Sequence, residues 1–152
     1  MINRDNDTFL IVGVGNTLRG DDGIGAYICS HIDKLNVPGI KTLVVQQLDT
    51  ELLETFMQFD HIILADATLE EDTVVFYPLK PGETFPVSSS HHVNAGLLAS
   101  LAEKLFHKDL SFMICAVKGE HFDMGEHLSV TARQNADAAI GIICDWIEKG
   151  CS

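Results

Sequence analysis

Five short runs of apolar and β-branched residues along the chain predict β-strands. They lie at residues 9–12, 41–46, 61–66, 73–77 and 112–117. The first, third and fifth runs are almost continuously apolar, which is typical of strands buried on both faces of a parallel sheet. The fourth run is followed by Pro78 and Pro81, so it is expected to be an edge strand that ends at the first of these prolines.

Between and after these runs, apolar residues recur at helical spacing in four further stretches. The candidate N-terminal caps are Asp49 or Thr50 for the second stretch, Asn94 for the third and Ser129 for the fourth. The segment 79–92 holds two prolines and three consecutive serines, which predicts an irregular loop. Because strand and helix alternate, the sequence predicts one domain, residues 1–152, folded as a three-layer α/β/α sandwich with a mostly parallel central sheet.

Composition narrows the possible partners. The 152 residues suit a single domain, and 22 acidic against 10 basic side chains give a formal net charge of −12. This balance repels phosphate backbones and anionic lipid headgroups, so neither nucleic acid nor a membrane is expected as the main partner. The apolar run 9–14 is too short for a signal peptide or a membrane span, which favours a cytoplasmic protein. The four cysteines form no C-x-x-C pair, so neither a zinc knuckle nor a disulfide framework is indicated.

A glycine-rich segment, residues 13–25, follows the first predicted strand, where phosphate-binding loops usually lie. A dinucleotide fingerprint at its start would need a glycine where Leu18 stands. Two of its glycines have the spacing of a P-loop, but Asp21 and Asp22 occupy the places of the lysine and the serine or threonine. Two carboxylates at a helix N-terminus disfavour an anion and suit a cation.

Several side chains with metal-binding chemistry are expected at one edge of the predicted sheet. Besides the two aspartates of the glycine-rich segment, Asp66 ends a strand and His91 lies in the loop before a helix. Open parallel sheets bind ligands outside the carboxyl ends of their strands, so these side chains are expected to converge there. Two carboxylates and one imidazole suit a borderline divalent ion such as Zn²⁺, Ni²⁺ or Fe²⁺ and leave coordination positions open.

Each of these residues also has a purely structural explanation. Asp21 and Asp22 would complement a helix dipole, Asp66 would bond to its own backbone in a turn, and His91 would be a surface histidine. The residues alone leave both explanations open.

Other catalytic patterns are weaker. There is no G-x-S-x-G elbow and no H-E-x-x-H helix. The serines at 88–90 are interpreted as loop residues. A later group of acidic and histidine residues lacks regular ligand spacing and is interpreted as a solvated loop; its members are His121, Asp123, Glu126 and His127.

Four segments resemble the [NiFe]-hydrogenase maturation proteases. FLIVGVGNTLRGDDGIG (9–25) is similar to that family's opening strand with its G-x-G-N and G-D-[DE]-G-x-G motifs, and HIILADA (61–67) resembles its strand ending in aspartate. SSSHHVNAGLL (88–98) resembles its S-x-H loop and following helix, and ICAVKGEHFDMGEHLS (114–129) its late strand and loop. Lys118-Gly119 stand where many relatives carry a Gln/Glu-Pro pair. The resemblance implies a phosphorylase/hydrolase-like α/β fold.

The resemblance also implies an activity. The family's metal-recognising residues correspond to Asp22, Asp66 and His91, with the adjoining His92 as the alternative histidine. These three are the implied catalytic and metal-contacting residues of a metal-dependent, aspartyl-type endopeptidase. The implied reaction removes the C-terminal extension of a [NiFe]-hydrogenase large-subunit precursor after nickel insertion. The precursor carries the nickel, no organic cofactor is expected, and the enzyme is expected to be a cytoplasmic monomer.

Two other functions stay open at this point. A non-catalytic metal-binding or chaperone module would use the same three residues without cleaving its partner. A small-nucleotide-binding protein would suit the α/β pattern, but the two aspartates of the glycine-rich segment oppose it.

Overall fold

The computed structural model describes residues 6–69, 73–79, 90–107 and 111–149, without the side chains of residues 90–94. Strands and helices alternate along most of this chain. Their bounds are β1 Phe9–Val14, α1 Ile24–Lys34, β2 Ile40–Val45, α2 Leu53–Phe56, β3 His61–Thr68, β4 Val74–Leu79, α3 Ser90–Phe106, β5 Ser111–Lys118 and α4 Val130–Lys149. None of the helices among the described residues is long and apolar enough to span a lipid bilayer.

The strands form one five-stranded sheet in the order β2-β1-β3-β5-β4. The pairs β1–β2, β1–β3 and β3–β5 are parallel, and β4 is antiparallel to β5. The prediction of a mostly parallel sheet with the 73–77 run at its edge is therefore confirmed. The prediction that Pro78 ends this strand is wrong, since β4 continues to Leu79. An edge strand has one unpaired side, which tolerates a residue that lacks an N–H.

Alternate residues of the central strands point into two separate cores. Ile11, Ile63 and Cys115 pack on one face against α1 and α4, whereas Val12, Leu64 and Ile114 pack on the other face against α2 and α3. This alternation follows from the two-residue repeat of a strand, and the parallel register keeps like positions on the same face. The three-layer α/β/α sandwich is thus confirmed.

The helix termini match the predicted caps only in part. Ser129 Oγ accepts a hydrogen bond from the backbone N–H of Ala132 at 3.1 Å, and Asp49 caps the 3-10 turn that leads into α2. Asn94 is not a cap, because α3 begins at Ser90. The prediction of an irregular loop at 79–92 is wrong at both ends, because Leu79 belongs to β4 and residues 90–92 belong to α3. Residues 80–89 lie outside the described residues.

The N-terminal end of α1 rests directly on the sheet. Gly25 in its first turn has no side chain, and a Cβ there would lie 2.7 Å from the carbonyl oxygen of Ala65 and 2.8 Å from the Cα of Gly13. Only this close approach lets α1 begin above β1 and β3. The preceding 3-10 turn, Gly20–Gly23, is consequently held at the carboxyl edge of the sheet.

The first turn of α3 reaches the same edge. α3 packs on the sheet through Leu98 and its neighbours, and it is followed after a short connection by the first residue of β5. Its 17 residues span about 25 Å, close to the roughly 26 Å of the eight-residue β5. Since the end of α3 lies near the start of β5, the beginning of α3 lies near the carboxyl end of that strand.

We expect Gly25→Ala to destabilise the protein by about 1–3 kcal/mol, because the new methyl group would press against main-chain atoms that cannot rotate away. Gly141→Ala is the matched control. Gly141 also lies in a helix, but nothing lies within 4 Å of a Cβ built there, so the same change should stabilise by about 0.5–1 kcal/mol. Urea unfolding of both variants checks this, and equal effects of the two changes would contradict the close packing of α1.

Candidate functional site

Asp22 is held above the end of β1 by the loop that precedes it. Its Oδ2 accepts a hydrogen bond of 2.7 Å from the backbone N–H of Asn16, and Asn16 Oδ1 accepts one of 2.9 Å from the N–H of Leu18. Gly15 has φ +142°, and a side chain there would collide with the main-chain oxygen of Asp22. Among the described residues, Asp22 Oδ1 has no hydrogen-bond partner. The carboxylate is half-buried and lies against the loop with one oxygen available.

Asp66 lies at the same edge, on the neighbouring strand. It pairs in register with Val14, the last residue of β1, and with Ala116 of β5. Its side chain is 4% exposed and points to the sheet face covered by α3. Asp22 belongs to the loop that starts directly after Val14, so the fold brings both aspartates to the carboxyl ends of β1 and β3.

His91 is the second residue of α3. The expectation that it lies in a loop before the helix is wrong. The length of α3 and the packing of its later residues lead us to infer that the backbone of His91 lies near the carboxyl edge, on the face to which Asp66 points. The side chains of His91 and His92 lie outside the described part of the chain. The structure therefore describes the helix backbone that carries them, but it does not describe the positions of their ring nitrogens.

No group of three or more His, Cys, Asp or Glu side chains among those described is arranged to hold a metal ion. His121, Asp123, Glu126 and His127 are all exposed. The side chain of His91 lies outside the described residues, so this absence does not bear on a set formed with Asp22 and Asp66.

Asp21, next to Asp22, has a different role. It is 0% exposed, and its carboxylate accepts four hydrogen bonds from the loop between β5 and α4. Oδ2 accepts from the backbone N–H of Glu120 at 2.7 Å, from that of His121 at 2.9 Å and from Ser129 Oγ at 2.8 Å, and Oδ1 accepts from the Ser129 N–H at 2.7 Å. Because all its partners lie about a hundred residues away, no local sequence pattern reveals this role.

The hydrogen bonds of Asp21 also govern its ionisation. Burial on its own would raise the pKa of this carboxyl group. The backbone N–H groups of His121, Glu120 and Ser129, together with the Ser129 hydroxyl, outweigh burial and lower the pKa below its ordinary 3.8. Asp21 therefore remains a carboxylate fully occupied by donors, which leaves Asp22 as the aspartate of this pair that can meet a ligand.

Backbone hydrogen bonds join the same two loops beside this carboxylate. The N–H of Gly20 donates to Gly125 O at 2.7 Å, the N–H of Gly125 donates to Leu18 O at 2.8 Å, and the N–H of Asp21 donates to His121 O at 2.7 Å. Arg19 and Gly125 form an isolated parallel β-bridge. The 119–129 loop is thus fixed to the segment that carries Asp22.

The sequence has Lys118-Gly119 where many members of the family it resembles have a Gln/Glu-Pro pair, and this difference fits the arrangement of the two loops. Gly119 donates its N–H to Thr68 O at 3.0 Å, which a proline could not do. A Cβ at Gly119 would lie 2.7 Å from the Cβ of Asp21. Glycine at this position therefore leaves room for the buried carboxylate.

Comparisons with known proteins agree with this architecture. The chain is 28% identical, over 157 aligned positions, to a Methanocaldococcus jannaschii protein named a putative hydrogenase maturation protease, and the match covers 92% of this chain and 96% of that protein. No protein-family model matches the chain.

Solved structures share the fold. [NiFe] hydrogenase maturation protease HybD from Thermococcus kodakarensis has a TM-score of 0.74 and 21% identity, with 92% of this chain and 99% of that chain covered. The hydrogenase maturating endopeptidase HybD from E. coli has a TM-score of 0.74 and 22% identity, with 94% of each chain covered. HycI from T. kodakarensis has a TM-score of 0.72 and 18% identity, with 93% of each chain covered. The resemblance seen in the sequence, and the α/β fold it implied, are thereby confirmed.

We expect Asp21→Asn to lower the free energy of unfolding by about 2–4 kcal/mol. The amide would place an NH₂ group against N–H donors, and several hydrogen bonds to a charged acceptor would be lost. Asp33→Asn, at an exposed position of α1, should change stability by less than about 0.5 kcal/mol. Urea unfolding at pH 7 measures both, and equal effects would show that the Asp21 hydrogen bonds contribute nothing.

The lowered pKa of Asp21 gives a pH dependence of known sign. Its contribution to stability is fully present above the pKa of an unfolded aspartate, about 3.9, and is lost as the pH falls through the lower folded value. The stability of the wild type should therefore fall more steeply below about pH 4 than that of Asp21→Asn. Urea unfolding of the two proteins between pH 3 and pH 7 tests this, and parallel curves would refute it.

Proposed function

We propose that this chain is an endopeptidase of hydrogenase maturation that removes the C-terminal extension from a [NiFe]-hydrogenase large-subunit precursor after nickel insertion. The observation that supports the proposal is the position of Asp66 at the carboxyl end of β3 and of Asp22 in the loop that follows β1, the neighbouring strand. The fold shared with HybD and HycI over more than nine-tenths of the chain supports it, as does the name of the M. jannaschii relative. We place the reaction in the cytoplasm, with a monomeric enzyme and no organic cofactor.

Nickel belongs to the substrate in this proposal. Asp22, Asp66 and His91 offer two carboxylates and an imidazole, a set that suits a borderline ion and does not fill its coordination sphere. An incomplete set fits the inspection of an ion that the precursor already holds. His92 adjoins His91 and is the alternative donor.

Peptide hydrolysis at this edge needs a water molecule to add to the scissile carbonyl carbon and a group to accept its proton. The carboxylate of Asp22 or Asp66 can accept the proton as a general base and then return it to the amide nitrogen as the C–N bond breaks, which releases the C-terminal peptide as an amine. The substrate's nickel can instead polarise the carbonyl or lower the pKa of the attacking water. In both routes these side chains position the substrate's ion beside the scissile bond.

The test is the intact mass of the hydrogenase large subunit in a strain that lacks this gene, complemented with the wild type or with single variants. Asp22→Asn, Asp66→Asn and His91→Ala should accumulate a precursor that is longer by the C-terminal peptide. The wild type and the exposed-site control Asp33→Asn should yield the mature subunit. If His92→Ala fails instead of His91→Ala, the histidine assignment moves by one residue.

Two results would overturn parts of the proposal. Normal maturation in the deletion strain would argue against the protease function. If the deletion strain accumulates the precursor and every variant, including Asp22→Asn, restores its processing, these residues do not belong to the site. If the purified protein binds nickel through the same residues but leaves a nickel-loaded precursor uncut, the non-catalytic metal-binding module is the better description.

A further inference from the structure

Lys118 is the last residue of β5, and the register of the sheet places it beside the candidate site. It pairs with Thr68, two positions after the pairing of Ala116 with Asp66. Because successive strand residues point to opposite faces, Lys118 points to the same face as Ala116, which is also the face of Asp66. Of the strand residues that the structure describes, Lys118 is the only basic one at the carboxyl edge.

Hydrogen bonds hold the backbone of Lys118 from several sides. Its N–H donates to Thr73 O at 2.9 Å, and its C=O accepts from Asn135 Nδ2 at 3.1 Å. The next N–H along the chain, that of Gly119, donates to Thr68 O at 3.0 Å. These bonds fix the direction in which the lysine side chain leaves the strand. A side chain on a fixed backbone loses less freedom when it binds a ligand.

The ammonium group of Lys118 has no hydrogen bond or ion pair to any other described residue. The residue is half-buried, so its charge is partly removed from water without a counter-ion from the described chain. The rise along a strand and the spacing between strands place the Cα atoms of Lys118 and Asp66 roughly 8 Å apart. The flexible four-carbon stem of a lysine lets its three N–H donors reach the space in front of Asp66.

The proposed hydrolysis needs a hydrogen-bond donor as well as a base. When water adds to the scissile carbonyl carbon, an electron pair of the C=O bond moves to the oxygen, which becomes negatively charged. Asp22 or Asp66 can take the proton of the water, but a carboxylate repels this oxygen. A donor aimed at such an oxygen typically raises kcat by a factor of about 100 to 1,000.

We propose that the ammonium group of Lys118 binds the oxygen of the scissile carbonyl and stabilises the negative charge that develops on it. The inference rests on the proposed endopeptidase function and adds a catalytic residue to it. Lys118 keeps its proton throughout. The charge on the oxygen disappears when the C=O bond re-forms and the C–N bond breaks, and the leaving nitrogen takes the proton that the aspartate had accepted. Base and donor thus act from one face of the sheet, Asp66 on β3 and Lys118 on β5.

The first test measures kcat and KM on nickel-loaded large-subunit precursor isolated from a strain that lacks this gene. Lys118→Met keeps the length of the side chain and removes its donors, so kcat should fall about 100- to 1,000-fold while KM stays within about twofold. Lys118→Arg keeps a charged donor, and its kcat should be at least about tenfold above that of Lys118→Met. Lys34→Met, at an exposed position at the far end of α1, is the control and should leave both constants unchanged.

Added amines test the donor separately from the rest of the side chain. Lys118→Ala removes the stem and the amine, and propylammonium in solution should restore part of kcat in a concentration-dependent way. Tetramethylammonium carries the same charge without an N–H group, so it should restore nothing. A residue that only supports the fold would not distinguish the two ions. Urea unfolding of Lys118→Met should give the same midpoint as the wild type.

Each other result has a definite meaning. If the wild type processes the precursor and Lys118→Met keeps a normal kcat, the inference is wrong and the protease function stands. If Lys118→Met raises KM alone, Lys118 binds the substrate before the reaction and does not stabilise its transition state, which also overturns the inference. A lowered urea midpoint without rescue by arginine or propylammonium would make the role of Lys118 structural and refute the inference. If the wild type does not process nickel-loaded precursor, both proposals fall.

Discussion

The carboxyl edge of this sheet depends on one buried charge. The carboxylate of Asp21 has left water completely, which is costly unless donors replace the lost hydration. Glu120, His121 and Ser129 supply those donors from the far end of the chain. Because the donors are mostly backbone N–H groups, the loop has to adopt one conformation to satisfy them. Asp22 on one side and the 119–129 loop on the other take their positions from this arrangement.

The sheet could be predicted because the apolar pattern that defines each strand lies in the residues of that strand. A parallel strand buried on both faces has to be apolar throughout, as at Phe9–Val14 and Phe112–Val117. Features that depend on tertiary context were harder to predict. Pro78 lies inside β4 because the outer side of an edge strand needs no N–H. The start of α3 at Ser90 was missed because Ser90, His91 and His92 carry no apolar helical pattern in the sequence.

The candidate site, like the fold, could be predicted from the sequence only in part. The carboxyl ends of parallel strands meet at one edge of a sheet. This rule alone predicts that Asp66 and the aspartates of the glycine-rich segment lie at the same edge. Physical reasoning on the sequence did not separate Asp21 from Asp22, since both are acids at the start of a helix. The resemblance to a protease family chose Asp22, and the structure gives the reason: its neighbour is occupied by four donors. The pairing of Gly125 with the 18–20 segment was beyond prediction, because it joins residues about a hundred positions apart.

The span between Asp21 and Ser129, 108 residues, also sets an order of events during synthesis. A ribosome releases the glycine-rich segment about a hundred residues before the start of α4, so this carboxylate cannot find its donors until Ser129 has been synthesised. Until then the emerging polypeptide carries Asp22 and Asp66 without the loop that fixes their surroundings. The conformation of this edge is thus one of the features that an emerging chain cannot complete segment by segment.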